Sequence, residues 1–174
     1  IILLLHAMIM SFGGIPLLYY GDEIGTINDD AYLNDPHKAT DTRWVHRPTI
    51  DWEKAARRNQ PGTIEYRIFT ALKRMIAVRT EISVFADFNN RELIEVENPH
   101  LFVFERYNWI SRRDSVLVAA NFDRHPHSLN LDDLETWGRI DYGRLVDLYS
   151  GSQPDMVNHT VVVPGFSFYW LGEK

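Results

Sequence analysis

Two short stretches carry the side chains best suited to chemistry. Asp22 and Glu23 follow an apolar run ending Tyr19-Tyr20-Gly21, and further on stands Asp41-Thr42-Arg43-Trp44-Val45-His46-Arg47-Pro48. Two carboxylates invite acid and nucleophile chemistry of the kind that cleaves a glycosidic bond. Their adjacency argues against it. Neighbouring side chains on a continuing strand point to opposite faces, so Asp22 and Glu23 do not flank one bond. One of them is read as holding the loop or pairing with an arginine, and Asp22 is kept as an active-site-loop candidate. Arg43 is the stronger candidate. A planar guanidinium grips a carboxylate in bidentate fashion or donates to sugar hydroxyls, and Asp41 and Thr42 are placed to orient its turn. His46 either hydrogen-bonds a sugar or tunes a carboxylate, or serves the loop structurally. Arg47 reads as a loop-packing residue.

Other chemistries lack their residues. The chain of 174 residues has no cysteine, which removes a disulfide framework and a cysteine metal site. His6, His37, His100, His125, His127 and His159 show no metal-ligand spacing, and His125-Pro126-His127 reads as a turn. Asp29-Asp30 and Asp35 are loop acids without a calcium-loop pattern. No glycine-rich phosphate loop and no Gly-x-Ser-x-Gly elbow is found. No metal and no cofactor is therefore expected. A net charge of -6 argues against a nucleic-acid partner.

The elements that must position these residues follow from periodicity. Ile1 to Phe12 is apolar nearly all round, as in a buried helix, and Gly13-Gly14 stops it. His6, Ser11 and Pro16 interrupt the run before the roughly 20 apolar residues of a membrane span, and no basic segment precedes it. No membrane partner is expected, and the compartment is open between cytoplasmic and secreted. An opening inside an apolar helix suggests a piece of a longer protein. Ile15 to Tyr20 has no alternation and suits a parallel strand covered on both faces. A long connection then runs from Gly25 to Gly62, with a short helix capped by Asp51. Thr63 to Arg79 places Ile64, Ile68, Leu72, Met75 and Ile76 on one helical stripe, with Thr63 as N-cap. From Phe85 onward short β-like runs alternate with turns, which predicts an antiparallel sandwich. The fold class is thus α/β followed by all-β, with residues 1–84 and 85–174 as the two domains. Ile1 to Tyr20 is expected to leave an uncovered apolar face, and a chain trimmed to about residue 85 is expected to behave better.

GGIPLLYYGDEIG (Gly13–Gly25) resembles the eighth-strand motif of the α-amylase family of glycoside hydrolases. NDDAYLNDPHKATDTRW (Asn28–Trp44), running into the rest of DTRWVHRP, resembles the amylosucrase and sucrose hydrolase branch. The ALKRMIAVR stretch (Ala71–Arg79) and the terminal FSFYWLGEK (Phe166–Lys174) extend the likeness over nearly the whole chain. The resemblance implies the last segment of a (β/α)8 barrel followed by a β-sandwich C-terminal domain. It implies a retaining enzyme in which an aspartate nucleophile and a glutamate acid, both from earlier strands, cleave sucrose. None of those acids maps onto this chain, so no catalytic residue is assigned and the chain alone is expected to be inactive. Arg43 matches the family arginine that pairs with an aspartate from an early loop and closes the glucose pocket. The partners implied are sucrose, an α-glucan acceptor and the upstream remainder of the same chain. Glucose passes to the glucan or to water. A hydrolase or α-glucosidase without polymerase activity is the alternative, and a non-catalytic structural or glycan-binding module built on Trp109, Trp137 and Tyr142 is the second.

Overall fold

The computed structural model describes residues 1–111, 114–134 and 141–173. Trp137 lies outside these residues, as does the side chain of Tyr142. The chain forms two compact units, Leu18–Leu72 and a larger one made of Ile1–Leu17 with Lys73–Lys174.

The larger unit is built on strands β1 (Arg91–Ile94), β2 (Leu101–Tyr107), β3 (Ser115–Asn121), β4 (His127–Asn130), β5 (Leu145–Asp147), β6 (Met156–Val157), β7 (Thr160–Val163) and β8 (Phe168–Glu173). All pairings are antiparallel, in a five-stranded sheet ordered β1-β2-β3-β8-β5 and a three-stranded sheet ordered β4-β7-β6. These sheets fit the expected β-sandwich. The central strands bury both faces, which explains why they read as apolar runs without alternation. One face of β2, β3 and β8 gives Leu101, Val103, Leu117, Ala119 and Leu171 to a core shared with Leu129, Val161 and Val163 of the smaller sheet. The other face gives Phe104, Val118 and Trp170, which lie in register across the three strands.

Two helices cover that second face. Helix α1 (Ile2–Phe12) sets Leu4, Ala7 and Met10 against Phe104, Val118 and Trp170, and Met75 joins them. Met75 belongs to the long helix Ile64–Glu81, labelled α3 below; α2 is Trp52–Ala56. On α3 the expected stripe buries Ile68, Leu72 and Met75, while Ile64 and Ile76 are exposed. Thr63 caps α3, its hydroxyl accepting from the Tyr66 N–H at 3.2 Å.

The strand expected at Ile15 to Tyr20 is not formed. The segment is irregular, and Ile15 and Leu17 are 77% and 80% exposed. A parallel strand needs neighbours for its N–H and C=O groups, and every described strand lies between Arg91 and Glu173 and pairs within that stretch. No barrel strand is therefore seen among the described residues. Gly13 ends α1 at φ 126, and a Cβ there would lie 2.7 Å from the Phe88 carbonyl oxygen, so only glycine fits.

The C-terminus of α1 has no basic residue in its own last turn. Its carbonyls are instead capped by arginines from three other segments. Arg79 Nε donates to Met10 O at 2.8 Å, Arg106 Nη1 to Ser11 O, and Arg91 Nη1 to Phe12 O at 3.4 Å. Arg106 is fully buried and also donates to Asn90 Oδ1 at 2.7 Å and Val84 O at 2.9 Å. Burial, with the nearby Arg91 charge, pulls its pKa down to about 10, which leaves it cationic at neutral pH.

Two outcomes follow for stability. Arg106→Met strips donors from several buried acceptors, each costing about 1–3 kcal/mol. Urea unfolding should lose at least about 3 kcal/mol, and Arg91→Met should lose less. Equal losses would show that Arg106 is not the main cap. The expectation that trimming to residue 85 helps is reversed by the structure, because it removes α1 and Met75 from over Trp170. The trimmed chain should bind a hydrophobic dye and lose sharp cooperative unfolding; a cooperative, dye-silent trimmed chain would refute this.

Candidate functional site

The unit Leu18–Leu72 holds its long loop in shape with aspartates. Asp29 Oδ1 accepts from Ala31 N, Asp35 Oδ1 from His37 N, Asp41 Oδ1 from Arg43 N and Asp51 Oδ1 from Lys54 N, all at 2.9–3.0 Å. Each short carboxylate side chain satisfies an amide that a strand partner would otherwise take. The loop closes on itself where Asp29 N donates to Val45 O at 3.0 Å. Lys54 of α2 ties back to the loop's start, its Nζ donating to Gly25 O at 2.8 Å. Arg57 pairs with the buried Glu65 at 2.9 Å and anchors α2 to the first turn of α3.

Asp22 and Glu23 lie in a single 3-10 turn, Asp22–Ile24, rather than at a strand end. Gly21 opens that turn at φ 94, where a Cβ would meet Thr26 Oγ1 at 2.7 Å. Glu23 folds back, its Oε2 accepting from the Gly21 N–H at 2.7 Å. It is the loop-holding carboxylate. Asp22 faces a cleft of about 260 Å³ whose walls include Tyr19, Tyr20, Asn28, His46 and Pro48. The His46 Nδ1 lies 3.0 Å from Asn28 Oδ1, which fixes the imidazole in that wall. The Tyr19 and Tyr20 rings lie 4.6 Å apart, and the Tyr19 hydrogen bond holds the Tyr20 phenol above its ordinary range. The structure thus brings Asp22 and His46 into one cleft.

Arg43 is not among the residues lining it. Its side chain is 74% exposed and forks onto Asp41 of its own loop, with Nε to Oδ1 and Nη2 to Oδ2 both at 2.8 Å. The hydrogen bonds from the Arg43 side chain and backbone lower the Asp41 pKa from 3.8 to about 2, and the same pairing raises that of Arg43. The fork occupies Nε and Nη2 and leaves the Nη1 edge facing away from Asp41. Lys38 lies over the Trp44 ring at 4.9 Å and so supports the same turn. Tyr19, Tyr20 and Asn28 were not foreseen as lining residues, because the two tyrosines read as the end of a buried strand. The doublet of phenols directly before a glycine corner was the available signal.

Asp41 should titrate near pH 2 by carboxyl NMR, and Arg43→Gln should return it toward 3.8. Because the folded pKa is depressed, the contribution of the fork is fully present above about pH 4 and is lost as pH falls through about 2. An Asp41 that titrates near its ordinary value in the parent protein would show that the fork does not form in solution.

No family model matches the chain. In sequence it is 26% identical over 194 residues to the trehalose synthase/amylase TreS of Mycolicibacterium smegmatis, covering 97% of this chain and 32% of that protein. The Mycobacterium tuberculosis TreS is 27% identical over 189 residues, with 97% and 31% covered. In structure it superposes on an Anoxybacillus pullulanase complexed with maltotriose at a TM-score of 0.65, with 14% identity, 99% of this chain and 22% of that one. A trehalose-6-phosphate hydrolase of Bacillus licheniformis gives a TM-score of 0.64 and 18% identity, with 99% and 38% covered. The chain therefore spans about a third of the curated relatives it matches, and it shares its fold with domain-sized portions of these solved enzymes.

Proposed function

We propose that this chain is the C-terminal portion of a retaining enzyme acting on α-glucosidic bonds. In this reading residues 1–84 contribute to a (β/α)8 barrel and residues 85–174 form its β-sandwich C-terminal domain. The observation that carries it is the match to a trehalose synthase/amylase across 97% of the chain. The loop supports it. Two phenol rings, an amide, an imidazole and a carboxylate line one cleft, a set that stacks on a sugar ring and hydrogen-bonds its hydroxyls. Arg43 is the substrate-binding residue, its outer edge donating to a hydroxyl or to an acid presented from another segment. Asp22 and His46 shape the cleft. The nucleophile and acid lie upstream, so the 174-residue chain alone does not turn over substrate.

The finer reading makes sucrose the donor, with glucose passed to an α-glucan or to water. It rests on the Asn28–Pro48 resemblance. A second reading, trehalose or an α-glucan as substrate, is favoured by the name and coverage of the sequence relatives. A non-catalytic glycan-binding role is less well supported. Trp109 is 59% exposed, but its ring packs edge-on against Tyr107 at 4.9 Å.

The test is kcat/KM for the full-length protein on sucrose, trehalose and a maltooligosaccharide. Fructose release with glucan growth supports the transferase form, and fructose release without it the hydrolase form. Activity confined to trehalose or α-glucan selects the second reading. On whichever substrate is used, Arg43→Ala should lose about 10²-fold or more, and Arg43→Lys should recover little because it keeps charge but not the fork. Arg47→Ala should lose less. A near-native Arg43→Ala beside an inactive Arg47→Ala would transfer the role to Arg47.

A further inference from the structure

We propose that His100, Asp123 and His127 form a zinc site at one end of the β-sandwich. The three come from separate segments. His100 directly precedes β2, Asp123 sits in the turn after β3, and His127 opens β4. Their candidate ligand atoms lie within 4.8 Å of one another, the only such group among the described residues. His100 Nδ1 is 3.4 Å and His127 Nε2 is 3.8 Å from the same oxygen, Asp123 Oδ2. A tetrahedral zinc with bonds of about 2.0–2.1 Å separates its ligand atoms by about 3.3–3.4 Å. One edge already has that length and the second is close; the two imidazoles stack at 4.8 Å with 19° between their planes, so zinc binding requires the half-exposed His100 ring to turn and aim its Nδ1 at the ion.

The surroundings are those of a prepared site. His127 Nε2 is buried and has no hydrogen-bond partner, an arrangement that costs free energy unless the nitrogen has a use. Asp123 is oriented from behind. Its Oδ1 accepts from His125 N at 2.7 Å and His125 Nδ1 at 3.0 Å, which leaves Oδ2 toward the two imidazoles. The turn itself is fixed by the fully buried Asn121, whose Nδ2 donates to His125 O at 2.8 Å and Val163 O at 3.0 Å, and whose Oδ1 accepts from Asp123 N at 2.9 Å. Asn98 lies 3.0 Å from His127 Nδ1. The Asn98 Oδ1 accepts from His100 N at 3.0 Å, so this one amide ties together the two segments that carry the imidazoles. The half-exposed His100 leaves a fourth position open to water. Two imidazoles with one carboxylate suit zinc rather than calcium or magnesium, which take oxygen ligands.

The site clamps the starts of β2 and β4 to the turn after β3. The test is titration of zinc into the purified protein after chelator treatment at neutral pH, with thermal unfolding and the visible spectrum of the Co²⁺ form alongside. We expect about one zinc per chain, a Kd of about 10 µM or tighter, a higher Tm and four-coordinate Co²⁺ bands. His100→Ala, at an exposed position that keeps the fold, and His127→Ala should each weaken binding at least about tenfold. His37→Ala should leave it unchanged. Absence of saturable binding below about 100 µM, or zinc affinity that survives both the His100 and His127 substitutions, overturns the proposal.

Discussion

The larger unit depends on how the end of α1 is satisfied. A helix leaves its last carbonyls without intrahelical donors, and here those carbonyls point into a packed interface. Met10, Ser11 and Phe12 each receive a guanidinium, from Arg79, Arg106 and Arg91 respectively. Cations near a helix C-terminus are also favoured by its dipole. The arrangement works against itself electrostatically, since Arg91 and Arg79 are among the causes that depress the Arg106 pKa. What offsets the repulsion is the density of acceptors around Arg106. Its remaining donors go to Val84 O, Asp87 O and Asn90, whose own Nδ2 donates to Val84 O and Tyr107 O. One buried cation thereby sets the position of α1, the turn at Ser83–Ala86 and the β1–β2 edge together.

The smaller unit solves the same problem with opposite charge. It has no strand, and its amides are taken by successive aspartates through two- and three-residue turns. Such turns are local, so the loop acquires its shape without distant partners. The consequence for the site is a division of labour. Asp41 both caps its turn and grips Arg43, which, in the substrate-binding role proposed for Arg43, presents the guanidinium before a ligand arrives. Pre-ordering a long side chain in this way lowers the entropy that binding must overcome.

Much of this was legible in the sequence, and the misses have physical causes. β2, β3 and β8 were readable because double-faced burial demands apolar runs. The two-residue β6 was not, since its hairpin turns on Asn158-His159, with φ 47 and 59, instead of the usual Asn-Gly signal. Ile15 to Tyr20 misled because an apolar run carries no record of whether pairing partners exist. Asp51 and Thr63 were found as caps because capping is a matter of adjacent residues. The cleft joining Asp22 to His46 was only half visible, as the tyrosines and Asn28 that complete it enter through the fold of the loop. His100 and His127 were set aside as ligands and Asp123 was not paired with them because metal spacing is legible only within one segment, whereas the fold is what brings residues 100, 123 and 127 together.

Buried polar side chains recur where strands end, and their role differs from that of the apolar core. Asn121 donates to the carbonyls of Val163, which ends β7, and of Pro164 after it, and Asp147 accepts from the N–H groups of Tyr149, Ser150 and Trp170. A hydrogen bond of this kind adds only about 1 kcal/mol net, while leaving one partner bare costs about 1–3 kcal/mol. The apolar clusters on the two faces of the large sheet therefore supply most of the driving force, but they tolerate small shifts in register. Asn121 and Asp147 do not, because a one-residue slip would leave several buried groups unmet at once. Fixing the sheet ends in this way also fixes the turn that carries Asp123, so the geometry at that end of the sandwich is inherited from the same constraint that sets the strand register.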